Sequence, residues 1–252
     1  MRANIVLPFH DPEGRFLRQL SLISPDLKQH FDHAFLSISP PTAARQHRRL
    51  RELRADPFFV LNDNRLNTQV GDHYLAGYES AIRHSPPHQL LHLCDIDKVA
   101  YALQSEYKAR FIDDIHVAVT DIPRLFQRSA AAWATYPAIY RELEQMAIRI
   151  GELLFARYFD FAWSYLVIEA QQLNSIMPRI RSRDFGLLPE IVLLLKDHIQ
   201  TQDVDWLAWE DPFIFCRDAA ELQAERDNDP IELQKRLLWN KAVLEQVLAA
   251  IQ

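Results

Sequence analysis

Leu90-Leu91-His92-Leu93-Cys94-Asp95-Ile96-Asp97-Lys98-Val99 is a short apolar run that ends on two carboxylates one residue apart. A run of this length predicts a buried strand of a parallel sheet. Open α/β sheets bind ligands outside the carboxyl ends of their strands, so Asp95 and Asp97 are expected where a ligand sits. Residues i and i+2 of an extended chain lie on one side, which lets both carboxylates face one divalent cation. The plainer alternative is a strand-to-helix turn in which Asp97 caps a helix starting near Lys98.

Outward from this stretch, strands and helices alternate. Ile5-Val6-Leu7 predicts strand one, followed by the turn-rich loop Phe9-His10-Asp11-Pro12-Glu13-Gly14. A helix carrying Phe16, Leu17, Leu20 and Ile23 follows, interrupted or restarted at Pro25. Residues 31–39 predict strand two. Pro40-Pro41-Thr42 opens a helix bearing Arg45, Arg48, Arg49, Arg51 and Arg54, with Leu50 and Leu53 inward. Such a charge run is read as a solvated crossover face. Phe58-Phe59-Val60-Leu61 predicts strand three, and a helix from about Thr68 is thinned by Gly71, Ala76 and Gly77. An amphipathic helix is expected from Lys98 to about Arg110, and His116-Val117-Ala118-Val119-Thr120 reads as strand five. A long helix from Tyr136 to about Tyr158 is expected to hold Ile139, Leu143, Met146, Ile150 and Leu153 on its buried stripe. The aromatic cluster Tyr158, Phe159, Phe161, Trp163 and Tyr165 predicts core. Asp229-Pro230-Ile231-Glu232 starts the last helix with a capping Asp, a Pro at the first position and an acid at the third. This alternation predicts βαβ units: an α/β fold with a mainly parallel sheet flanked by helices and a helical C-terminal part.

Composition narrows the function. The 252 residues carry a net charge of -6, which points away from nucleic acid as a partner. Glycine occurs 5 times, and neither G-x-G-x-x-G nor a P-loop is present. The pair Cys94 and Cys216 makes no disulfide framework, and a cytoplasmic protein without a membrane span is expected. A zinc site from His84, His88 and His92 is disfavoured, because Pro86 and Pro87 exclude a helix there and His92 sits in the apolar strand as a core histidine.

The order of these parts resembles the nucleotide-diphospho-sugar transferase superfamily, the GT-A type glycosyltransferases. The resemblance runs over residues 3–215. It rests on Leu7-Pro8-Phe9-His10-Asp11 after strand one, Asn62-Asp63-Asn64 after strand three, the helix Gly71 to Ala81, Asp95-Ile96-Asp97, and Trp209-Glu210-Asp211-Pro212. The chain departs from many relatives in carrying Lys98 directly after the Asp-x-Asp pair. The resemblance implies one GT-A-like domain over 1–252, with a nucleotide-binding βα half at 1–125 and a helix-rich acceptor half at 126–252. It implies transfer of a sugar from a nucleotide-diphosphate donor to an acceptor that the sequence does not name. Pro8, His10, Asp11, Asp63 and Gly71 are then expected at the nucleotide. Asp95, Lys98 and Arg124 are expected at the diphosphate, with Mg²⁺ or Mn²⁺ held by Asp95 and Asp97. Lys98, Arg124 or Arg128 can add positive charge there. An inverting transfer also needs a carboxylate to take the acceptor's proton, and Glu210 and Asp211 are the candidates. Two other readings are a non-catalytic protein that keeps the fold for binding and a haloacid-dehalogenase-type phosphohydrolase with Asp95 as nucleophile.

Overall fold

A computed structural model describes residues 2–66, 68–117 and 122–251. The first part of the chain alternates strands and helices: β1 (Ala3–Phe9), α1 (Arg15–His30), β2 (Phe31–Ile38), α2 (Pro40–Ala44), α3 (Arg48–Ala55), β3 (Phe59–Asp63), α4 (Val70–His84) and β4 (Leu90–Cys94). Next come α5 (Ile96–Gln104), α6 (Lys108–Val117), β5 (Arg124–Arg128), α7 (Ala130–Ala134), α8 (Ala138–Phe155) and β6 (Tyr165–Glu169). The chain closes with α9 (Ala170–Ile176), α10 (Leu187–Leu195), β7 (Gln200–Val204), α11 (Asp211–Phe215), α12 (Ala219–Asn228) and α13 (Pro230–Ala249). The strands form one seven-stranded sheet in the order β3-β2-β1-β4-β6-β5-β7. Every pairing is parallel except those of β6, which runs against both β4 and β5. The α/β class and the mainly parallel sheet are as the alternation predicted.

Period-two alternation divides the core between the two faces of the sheet. Ile5, Leu7 and Phe9 of β1 pack with Leu17, Leu20, Ile23 and Leu27 of α1 and with Val99 and Leu103 of α5. Val6, Leu91, Leu93, Leu166 and Ile168 point the other way, onto α4, α8 and α10. Gly77 lets α4 lie close to the sheet, since a Cβ there would stand 3.3 Å from Val6 and Ser37. His92 is buried with its Nδ1 2.9 Å from the Tyr165 hydroxyl, and burial pushes its pKa down to about 3. It is therefore a neutral core histidine, as its place in the apolar run suggested.

Several expectations are corrected. Helix α1 runs unbroken through Pro25. The arginine-rich segment is two short helices, broken where Gln46 takes a positive φ of 48°. The helix after Asp97 stops at Gln104, and a second one covers Lys108–Val117. The expected strand at 116–120 thus begins inside a helix, and its residues 118–120 lie outside the described residues. Asp95 and Asp97 are not two positions of one strand. Asp95 is the extended N-cap of α5, and Asp97 lies in its first turn. Among the described residues, no helix is long and apolar enough to cross a membrane.

Candidate functional site

From β1 the chain winds outward through β2 to β3 on one side, then returns to β4 on the other. The carboxyl ends of β1 and β4 therefore flank a topological switch point, where open α/β sheets leave a crevice. A cavity of about 690 Å³ lies there. Pro8, Phe9 and His10 line it from the end of β1, and Asp95, Asp97 and Lys98 from the end of β4. Trp209, Glu210 and Asp211 close it from the segment that leads into α11. Residues more than a hundred positions apart in sequence are thus brought together.

The carboxylates repel one another in a poorly solvated place. Tyr74 donates its hydroxyl to Asp95 Oδ1 at 2.9 Å. Burial still raises the Asp95 carboxyl to about 6, with Glu210 adding to the rise and Tyr74 and Lys98 opposing it. Burial, then Glu210 and Asp95, push Asp97 well above the usual carboxylate range. Asp211 is raised to about 6, again by burial first and Glu210 second, despite Arg226 at 3.4 Å. Lys98 is buried and donates to the Tyr136 hydroxyl at 2.6 Å and to the Glu210 carboxylate. Burial works against its charge, but Glu210, Tyr136 and Asp97 outweigh that and hold the ammonium charged. Tyr136 in turn donates to the Leu207 carbonyl at 3.0 Å.

A second polar group stands beside these. Buried Arg128 grips Asp160 in a fork, Nε at 2.7 Å and Nη2 at 2.6 Å, and reaches Glu144 at 2.7 Å. Its guanidinium lies 3.5 Å from the centre of the Trp133 ring. Arg236 of α13 meets the same Glu144 at 3.1 Å. No family model matches the chain, and no curated protein matches it in sequence. What the site can do rests on its own groups.

Of the residues singled out in the sequence, Pro8, His10, Asp95, Asp97, Lys98, Arg128, Glu210 and Asp211 line the cavity. Four others do not. Asp11 is buried, and its carboxylate accepts the backbone N–H of Arg15 at 2.8 Å and of Leu17 at 2.7 Å. It fastens the start of α1, a local duty that the loop composition does not distinguish from ligand binding. Asp63 is exposed and paired with Arg54 at 2.5 Å. Gly71 packs against the backbone of Arg183, 2.5 Å from where a Cβ would stand, and donates to its carbonyl at 2.7 Å. Arg124 opens β5 and donates to Gln202 Oε1 at 2.8 Å. Asp11→Ala is expected to lower stability by about 1–2 kcal/mol through the lost cap, read as a urea midpoint. Stability equal to the parent's would show that α1 starts without it.

The reading from sequence missed His73, Tyr140, Glu144, Arg236 and Trp239, all on the cavity wall. Tyr140 and Glu144 are four apart on α8, and Arg236, Trp239 and Val243 recur at three and four on α13. That spacing marks an inward face, but the apolar residues drew the expectation for α8 to another one: Met146 and Leu153 of the expected buried stripe are exposed, and Tyr140, Ala147, Ile148 and Gly151 are buried. Which cavity the face turns to was not legible. Among the described residues, no group of three or more His, Cys, Asp and Glu is spaced to hold a metal.

Proposed function

We propose that the chain is a GT-A-type transferase that moves a sugar from a nucleotide-diphosphate donor to an acceptor. The observation that carries this is the cavity at the β1/β4 switch point, which gathers Asp95, Asp97, Lys98, Glu210 and Asp211. Transfer breaks the bond between the anomeric carbon and a diphosphate oxygen, which leaves with the electron pair. It forms a bond to the acceptor oxygen, whose proton must go to a base. Asp211 suits that task better than Glu210. Its pKa of about 6 lies near neutral pH, and Glu210 is engaged by the Lys98 ammonium. Lys98 keeps its charge and stands among the carboxylates, where it can bind a phosphate oxygen.

The cavity's carboxylates (Asp95, Asp97, Glu144, Glu210 and Asp211) outnumber its cations (Lys98, Arg128 and Arg236). That excess suits Mg²⁺ or Mn²⁺ at Asp95 and Asp97, and the ion would supply neutralising charge for the diphosphate when bound. A thermal-shift screen of UDP-, GDP-, CDP- and dTDP-sugars, with and without Mn²⁺, tests the reading. A donor at a hundredfold excess over Kd is expected to stabilise the native state by about 2.7 kcal/mol. The metal-dependent part of the shift should vanish in Asp97→Ala. No shift with any of the four bases would sink the proposal.

A further inference from the structure

Helix α8 turns Tyr140 and Glu144 to the cavity and carries a different pattern on another side. Ile139, Leu143, Met146, Ile150 and Leu153 recur at four, three, four and three, the spacing of a coiled-coil seam. Ile139 and Ile150 lean on the core, but Met146 is 45% exposed and Leu153 79%. Such a row leaves apolar area in water that a second surface would remove. Glu142 and Arg149 flank the row on one edge, and both are exposed. They stand seven residues apart, about 10.5 Å along the helix, too far to meet each other. Among the described residues, neither forms an ion pair within its own copy.

We infer that α8 pairs with α8 of a second copy of this chain, antiparallel, about a two-fold axis. When Leu143 lies across from Met146 of the other copy, Ile139 lies across from Ile150, and the symmetry repeats both contacts. In this register Glu142 falls beside Arg149 of the other copy, twice over. Other arrangements lose that match. An antiparallel pair shifted by one heptad sets Arg149 against Arg149. A parallel pair sets Glu142 against Ala147 and Arg149 against Leu154, which leaves both charges unanswered. The charges therefore select the partner and its direction together. Helix α13 also exposes Leu237, Leu248 and Ile251, but its row is interrupted by Lys241, which Glu245 of the same copy meets at 3.6 Å. One helix face makes a small interface, so a weak, concentration-dependent dimer is expected.

Sedimentation equilibrium of the full chain, from low micromolar to near-millimolar concentration, tests this. A monomer–dimer equilibrium is expected. Met146→Glu and Arg149→Glu should each weaken it about tenfold. Adding Glu142→Arg to Arg149→Glu should restore most of the loss, because opposite charges meet again. Circular-dichroism melts of the same variants should match the parent's, since all three side chains are exposed. A chain that stays monomeric throughout, a dimer indifferent to Met146→Glu, or a charge swap without rescue overturns the inference. A dimer lost in Leu237→Glu but kept in Met146→Glu moves the interface to α13 and overturns it too. Glu142, Met146 and Arg149 do not line the cavity at Asp95, so nucleotide binding by these variants tests the transferase reading separately.

Discussion

Arg128→Met is expected to cost the fold about 3–5 kcal/mol, because it strands the buried Asp160 carboxylate and takes a partner from Glu144. Asp160 is almost fully buried and both its oxygens are committed to the Arg128 guanidinium. Glu144 would keep Arg236 at 3.1 Å but lose its second partner. Methionine fills much of the space over the Trp133 ring, so the loss comes mainly from uncompensated charge rather than from a void. A domain of this kind holds only about 5–15 kcal/mol in total, so a large part of its stability is at stake. The expected signature is a lower urea midpoint at neutral pH that recovers partly in acid, where the stranded carboxyl can protonate. Adding Asp160→Asn should restore part of the loss. A change below about 1 kcal/mol would mean that solvent reaches the pair and screens it.

Asp211→Asn is expected to work in opposite directions on activity and stability. On the transferase reading proposed above, loss of the proton acceptor should lower transfer by about 10²–10⁴-fold. The fold, in contrast, should gain about 1–2 kcal/mol at pH 7.5. The sign follows from the raised pKa. Asp211 ordinarily titrates at 3.8 and does so at about 6 in the folded chain, so the native state binds its proton more tightly than the unfolded state. Its contribution to stability is full below pH 3.8 and is lost as the pH rises through 6. Above that window the ionised form strains the site against Glu210, and a neutral amide relieves the strain. Melting curves of parent and variant from pH 4 to 8 should therefore diverge upward through pH 6. Curves that run parallel would show that Asp211 is solvated as an ordinary carboxylate, and full turnover by the variant would hand the base to another group.

The parts legible in the sequence were those where local pattern and tertiary role agree. The apolar run ending at Cys94 is a buried strand because both its faces meet packed layers, and Asp229-Pro230 starts α13 because the cap is made of its own residues: the Asp229 carboxylate accepts the N–H of Ile231 at 2.8 Å. Strands β5 and β7 were missed for the opposite reason. Arg124-Leu125-Phe126-Gln127-Arg128 hides its buried polar pair, and Gln200-Thr201-Gln202-Asp203-Val204 is a polar edge strand with no apolar run to announce it. Strand β6 lay inside a segment whose aromatic content was correctly read as core, but aromatics fill strands and helices alike. In the site, eight residues could be named in advance because they sit at strand ends and helix starts. Asp11 looked the same by that criterion, and its role as a cap is decided by which backbone amides come within reach.

Strand β6 has a consequence for how this chain can come into being. Among the described residues it is the neighbour of β4 on the side away from β1, and it is supplied by residues 165–169. Until the ribosome has released them, Leu90–Cys94 ends the nascent sheet as a short apolar edge with open backbone groups, ready to pair with another chain. The Asp95–Asp97 corner stands at the end of that unfinished edge. A fragment cut before β6 would carry the strand ends of the cavity and a standing invitation to aggregate, so the site becomes safe to build only once the antiparallel strand has closed over it.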